Sequence, residues 1–203
     1  MVNILITNNN NERYEFTLSG VDVAFANMIR RIMISEIPIL AVDFIEINHN
    51  TCYKSDTLAH CIGLFPIESS NSDLSVNCKN CKSFCEKCSI PLLLDVKNES
   101  NELLKVTSSD FKSTINIRPH MPIMKLKKGE FVTIKAYARK NIGKKHAKWQ
   151  PVSVASYNYS KPHATTFKFF IEPTGALSSH EILKRAFEIL RDKAQSCIEK
   201  IKI

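Results

Sequence analysis

The sequence predicts an α+β fold in which two amphipathic helices flank a β-rich middle. Three observations carry that expectation. Phe25, Met28, Ile29, Ile32 and Met33 fall at helical spacing near the start, an apolar stripe about two turns long. Ile182, Leu183, Ala186, Leu190, Ala194, Cys197, Ile198 and Ile201 repeat that spacing near the other end. Between them run short β-like segments, Ile90 to Val96, Leu103 to Thr107, Phe131 to Ala138 and Val152 to Tyr159, separated by loops rich in Ser, Asn, Lys and Pro.

Taken in order, the first segment reads as a hairpin. Ile4 and Ile6 lie on one arm and Tyr14, Phe16 and Leu18 alternate on the other, with the Asn8 to Asn11 run as the turn. Asp22 is placed to cap the first helix, and Pro38 closes it, because its ring disfavours helical geometry in the residue before it. Ile39 to Asn48 reads as a strand. In Val152 to Tyr159 the alternation breaks between Val154 and Tyr157, which argues against a perfectly regular strand. Thr165 to Pro173 is a further strand. After Thr174-Gly175, Ser178 with Glu181 fits a capping box for the terminal helix, a rod of roughly 30 Å.

A chain of 203 residues buries one good core, or one core with a smaller lobe. At 44% hydrophobic and 24% charged it falls in the globular range, which excludes wholesale disorder. No run reaches the roughly 18–20 apolar residues of a membrane span, and the opening MVNILITNNNNE lacks a secretory pattern. No membrane partner is expected. The net charge of +8 suits acidic partners, whether nucleic acid or acidic faces of other proteins. Its lysines are spread along the chain, with short clusters at Lys125 to Lys128 and at Lys144-Lys145.

Of seven cysteines, four lie between residues 78 and 88. A secreted disulfide framework is spread out and paired, so this clustering points to a reducing compartment and a metal. Cys78, Cys81, Cys85 and Cys88 form two C-x2-C pairs three residues apart. Four thiolates close the tetrahedral shell of zinc with no open position, which is a structural arrangement and not a catalytic one. One structural Zn2+ is therefore expected, with Lys79, Lys82 and Lys87 offsetting the negative charge of the tetrathiolate. The rival iron–sulfur reading lacks the familiar C-x2-C-x2-C-x3-C-P run. Thiols without metal, or disulfides, are the third alternative. Cys52, Cys61 and Cys197 read as ordinary buried or half-buried cysteines.

Residues 21 to 68 place Ala26-Asn27, Arg30-Arg31 and Glu36-Ile37-Pro38 before a strand, then Leu58-Ala59-His60 and Gly63-Leu64-Phe65-Pro66-Ile67. That order resembles the opening of the third-largest subunit of eukaryotic RNA polymerase II, its archaeal RNA polymerase counterpart and, more distantly, the bacterial alpha subunit. Three more stretches match in the same order. The cysteine cluster sits where the eukaryotic subunit carries its zinc loop. Gly143 and His146-Ala147-Lys148-Trp149-Gln150-Pro151 are similar to the family's glycine and His-Ala-Lys-Trp-x-Pro segment. Phe170 to Gly175 looks like its last strand-to-helix junction. Departures are also visible: Asp56-Thr57 and Ala59-His60-Cys61 replace the family's Asp-Glu and Ala-His-Arg, and the first cysteine pair has one residue more between its members.

The resemblance implies a discontinuous alpha-subunit-like dimerisation domain, residues 1–49 with 163–203, built from antiparallel strands and two long helices. Residues 50–162 would be an inserted β-rich domain carrying the zinc loop. It also implies a non-catalytic assembly subunit that heterodimerises with a small homologous subunit, like the eleventh subunit of the nuclear enzyme, and docks the second-largest subunit and other small subunits. DNA would be met only indirectly, through the complex. The apolar helix stripes exceed what a thin sheet needs, and an exposed face of that size marks a partner surface. Phe25, Met28, Ile29, Ile32, Leu183, Leu190 and Ile198 are expected on it. Arg30 and Arg31, otherwise a solvated helix face, are expected at the second-largest subunit, where a guanidinium makes planar bidentate contacts. The chain stops soon after the terminal helix, as a compact archaeal-like or viral version of the nuclear subunit would. The expected location is the nucleus for a cellular eukaryotic protein, and the cytoplasm or virion for a viral one.

Catalysis by this chain is not expected. His60, read as lying in an apolar setting, and His146 lack an accompanying nucleophile, phosphate loop or carboxylate pair, and read as structural residues. Asp22, Asp43, Asp56 and Asp73 are isolated from one another, unlike the oxygen ligands of magnesium. The alternative function is a free-standing basic zinc-containing nucleic-acid-binding protein. It would surround its metal with basic and aromatic residues, whereas the cluster holds the single aromatic Phe84. The Lys148-Trp149 pair could serve such a role by stacking on a base; a loop anchored by Trp149 and Pro151 is the simpler use.

Overall fold

The computed structural model describes residues 2–10, 13–50, 54–70, 74–76, 85, 87–159 and 165–201. Its elements begin with β1 (Asn3–Asn9), β2 (Tyr14–Ser19), α1 (Val23–Ser35), β3 (Ile39–Asn50) and α2 (Ser55–Gly63). They continue with β4 (Ser89–Lys97), β5 (Leu104–Thr107), β6 (Pro122–Leu126), β7 (Phe131–Asn141), β8 (Val152–Asn158), β9 (Thr166–Pro173) and α3 (Ser179–Ile201). This is a mixed α/β chain with antiparallel sheets and three helices. Among the described residues no helix is long and apolar enough to cross a membrane.

The chain divides into two compact units, residues 1–39 with 142–203, and residues 40–141. The resemblance implies limits at 49 and 163 instead. Strand pairing explains the difference: β3 joins the sheet of the second unit beside β7, while β8 pairs with β9 in the first.

The first unit is a four-stranded antiparallel sheet in the order β1-β2-β9-β8. Alternation sends Tyr14, Phe16 and Leu18 of β2 to one buried face. Their register partners Ile171, Phe169 and Phe167 on β9 join them, and the rings of Phe16 and Phe169 stack at 4.7 Å. β8 departs from regular pairing between Val152 and Val154, one step earlier than the break in alternation that the sequence places between Val154 and Tyr157. The helix α1 buries Ala26, Ile29, Ile32 and Met33, packs on β8 and on α3, and is capped by Asp22, whose Oδ1 accepts from Phe25 N at 2.8 Å. Only the first half of α3 reaches the core, through Ser179, Ile182, Leu183 and Ala186. Glu181 N donates to Ser178 Oγ at 3.2 Å, while the Glu181 carboxylate pairs with Arg185.

The second unit holds a three-stranded sheet, β3-β7-β4, and the β5-β6 pair. Leu40, Val42, Leu92, Leu94, Val132 and Ile134 form its core with Leu58 and Ile62 of α2 and with Val106 and Leu126. Neither α2 nor β6 was expected from the sequence. α2 offers only Leu58 and Ile62 as a buried repeat, and β6 begins on a proline, which is tolerated at a strand's first residue.

Candidate assembly surface and cysteine site

The residues expected to meet partners separate by where α1 and α3 place them. Ile29, Ile32 and Leu183 are buried inside the first unit. In the isolated chain these three side chains are already covered by the first unit itself. Phe25, Arg30 and Leu190 are half-buried, and Met28, Arg31 and Ile198 are exposed. Arg30 is held in place, its Nε and Nη2 donating to Asn27 Oδ1 at 3.2 and 2.9 Å.

From Arg191 onward every described residue of α3 is exposed. Leu190, Ala194, Cys197, Ile198 and Ile201 fall on one side of this segment by helical spacing, with Ile198 49% and Ile201 82% exposed. The charged residues Arg191, Asp192, Lys193, Glu199 and Lys200 occupy the other positions. Lys193 pairs with Glu36 at the end of α1, and Arg185 Nη1 reaches the Pro38 carbonyl at 3.5 Å. These contacts tie α3 to the end of α1, Arg185 from its covered half and Lys193 from the start of its exposed half.

β1 adds apolar area that the sequence pattern did not assign to a partner. Ile4 and Ile6 pair with Leu18 and Phe16, so they continue the face of the buried aromatic row, yet they are 38% and 46% exposed. β1 is also a sheet edge, with one row of backbone groups facing outward.

The segment from Gly143 to Pro151 docks on the C-terminal end of α1. Lys144 N donates to the Ser35 carbonyl at 2.8 Å, satisfying one of the acceptors a helix end leaves open. A Cβ on Gly143 would lie 2.5 Å from the Ile34 carbonyl oxygen and 2.9 Å from Gln150 Cγ, which is why a glycine stands there. Trp149 is fully buried, so its ring anchors the loop and has no face to offer a base. Lys148 Nζ lies 4.3 Å and Lys145 Nζ 5.6 Å from its centroid. His146 Nδ1 accepts from Lys148 N at 3.1 Å, a capping role. His60 is exposed on α2, which corrects the apolar setting expected for it.

Of the four clustered cysteines, Cys78 and Cys81 lie outside the described residues, as do Lys79, Lys82 and Phe84. Cys85 and Cys88 are described, on the turn that enters β4. Cys88 N and Ser89 N both donate to the Cys85 carbonyl, at 3.0 and 2.9 Å. This tight turn brings the two sulfurs to 3.4 Å, near the roughly 3.8 Å that two thiolates at 2.3 Å from a tetrahedral zinc would keep. The pair therefore fits half of a zinc shell. Among the described residues no group of three or more ligand side chains comes together.

Tyr14 Oη is buried, and among the described residues no group pairs with it; burial holds its pKa above the ordinary value.

The model of the RNA polymerase Rpb3/Rpb11 dimerisation domain matches residues 15–194 of this chain. DNA-directed RNA polymerase II subunit rpb3 of Dictyostelium discoideum is 36% identical over 165 residues, covering 73% of this chain and 55% of that protein. The corresponding subunit RPB3 of Schizosaccharomyces pombe is 33% identical over 176 residues, covering 77% and 59%. DNA-directed RNA polymerase subunit Rpo3 of Methanocaldococcus jannaschii is 34% identical over 195 residues, covering 95% of this chain and 92% of that one. The chain thus spans little more than half the length of the eukaryotic relatives and nearly all of the archaeal one.

Proposed function

This chain belongs to the Rpb3/Rpo3 family of RNA polymerase subunits, and from that premise we propose that it is a non-catalytic assembly subunit of a multisubunit DNA-directed RNA polymerase. Its first unit pairs with a small homologous subunit carrying the same kind of dimerisation domain. The observation that carries this reading is the second half of α3. A helix whose last three turns are exposed, with an apolar stripe from Leu190 to Ile201, is unstable in water without a covering partner. Met28 on α1 and Ile4 and Ile6 on β1 supply further uncovered apolar area. Covering these faces calls for an obligate interface, on the order of 2,000 Å² or more.

Arg31, exposed on α1, is the contact proposed for the second-largest subunit, with Asn27-fixed Arg30 beside it. Other small subunits join the same assembly, and DNA is met only through it. Phosphodiester chemistry belongs to the large subunits, and in a eukaryotic cell the work is done in the nucleus. The cysteine turn is proposed to hold one structural zinc through Cys78, Cys81, Cys85 and Cys88. The ion would stabilise its loop and take no part in nucleotide addition.

Size-exclusion chromatography of the endogenous protein tests the reading. Co-elution with several hundred kilodaltons of associated subunits is expected. Elution as a stable monomer would overturn it and favour the free-standing nucleic-acid-binding alternative.

A further inference from the structure

The tetrathiolate reading leaves an electrostatic question. Four thiolates around a divalent zinc carry a net charge of −2, which a protein has to offset. The lysines interleaved with the cysteines are the cations nearest in sequence, but Lys87 is exposed to water. A different cation touches the sulfur. Arg139, on β7, sits opposite Ser89 in the β4-β7 register, and its Nη2 donates to Cys88 Sγ at 3.7 Å. Its other terminal nitrogen, Nη1, lies 3.7 Å from Asp43 Oδ2 on β3.

We propose that Arg139 is a positioning residue for the metal site: its guanidinium fixes and charge-compensates the Cys88 thiolate, and Asp43 orients the guanidinium. The inference rests on the zinc reading above. Three features support it. Cys88 is buried, so water screens its charge poorly and a nearby cation acts strongly. The guanidinium is planar with donors on both sides, so one group can face a carboxylate and a sulfur together, which an ammonium cannot do with the same geometry. Finally, Asp43 on β3 and Arg139 on β7 are held by neighbouring strands of one sheet, and Cys88 is the turn residue that directly precedes β4 of that sheet. An outer contact of this kind sets the orientation of a metal ligand, and losing it typically costs about ten- to a hundredfold in metal affinity.

The test uses the full chain in the complex with which it purifies. Zinc affinity is measured by competition with a chromophoric chelator, and cobalt is added to read the thiolate-to-metal charge-transfer band. Arg139→Met keeps the apolar stem and removes the charge. It should weaken zinc binding by about ten- to a hundredfold and alter the cobalt band. Arg139→Lys restores the charge without the planar fork and should recover only part of that loss, a partial rescue that a merely structural role would not show. Circular dichroism of each variant reports whether the fold survives; if Arg139→Met folds poorly, Arg139→Lys against Arg139→Gln makes the same comparison. Equal affinities for wild type and Arg139→Met, or equal losses in the methionine and lysine variants, would overturn the role of Arg139 and leave the zinc reading intact. A wild-type complex that binds neither zinc nor cobalt, and behaves as its Cys81→Ser variant does, would overturn both.

Discussion

Replacing Ile198 with aspartate tests whether the exposed half of α3 is an assembly surface. Ile198 is 49% exposed, so about half of the 1.5–3 kcal/mol from fully burying an isoleucine is still to be gained on assembly, on the order of 1 kcal/mol. An aspartate in its place would have to be dehydrated without a partner, which adds roughly 3 kcal/mol. The sum of about 4 kcal/mol corresponds to a nearly thousandfold weaker heterodimer. The isolated chain should hardly notice, since an exposed substitution away from caps and ion pairs shifts stability by about 0.5 kcal/mol or less. Ile32→Asp is the contrast. Ile32 is 1% exposed, so burying a carboxylate there should unfold the first unit itself. The assay is sedimentation of co-expressed chain and small partner, with circular dichroism of each variant. An unchanged dissociation constant for Ile198→Asp would refute the reasoning. So would a collapse of its helical signal to the level of Ile32→Asp.

Three further outcomes are expected. Gly143→Ala forces a Cβ to within 2.5 Å of the Ile34 carbonyl, and should cost about 1–3 kcal/mol, read as a lower melting temperature. Tyr14→Phe removes a buried hydroxyl whose pKa is raised by burial. The fold favours its neutral form, so that contribution is intact below about pH 10 and is lost as pH rises further; the phenylalanine variant should decline less steeply in melts taken above that pH, and equal slopes would contradict the assignment. Arg31→Ala should lower recovery of the second-largest subunit in a pull-down by about tenfold while the small heterodimer persists, and equal recovery would remove the interface role.

Much of the first unit was legible because its signals are local. The alternation of Tyr14, Phe16 and Leu18 and the stripe from Phe25 to Met33 each state a period, and Asp22 and Ser178 mark helix starts with side chains that do accept the expected bonds. What the stripe could not state is which of its members the protein itself covers. Ile29 and Leu190 look alike in the pattern, but Ile29 is core on α1 while the buried positions of α3 end at Ala186 and leave Leu190 half-exposed. The short elements were lost for a related reason: α2 buries only Leu58 and Ile62 as large apolar side chains, too few to state a period. Arg139 was invisible to spacing because it lies 51 residues from Cys88 and meets it only through strand pairing. The glycine at position 143 could be quoted as part of a resemblance, but its reason, the close approach to Ile34, required the fold.

The most direct test of the assembly reading is hydrogen exchange along α3, comparing the isolated chain with the chain bound to its small partner. The account predicts that amides from Arg191 to Ile201 exchange rapidly alone, because every residue of this segment is exposed, and become strongly protected on heterodimer formation. Amides around Ile182 to Ala186 should be protected in both states. Rapid exchange from Arg191 to Ile201 persisting in the assembled complex would contradict the account.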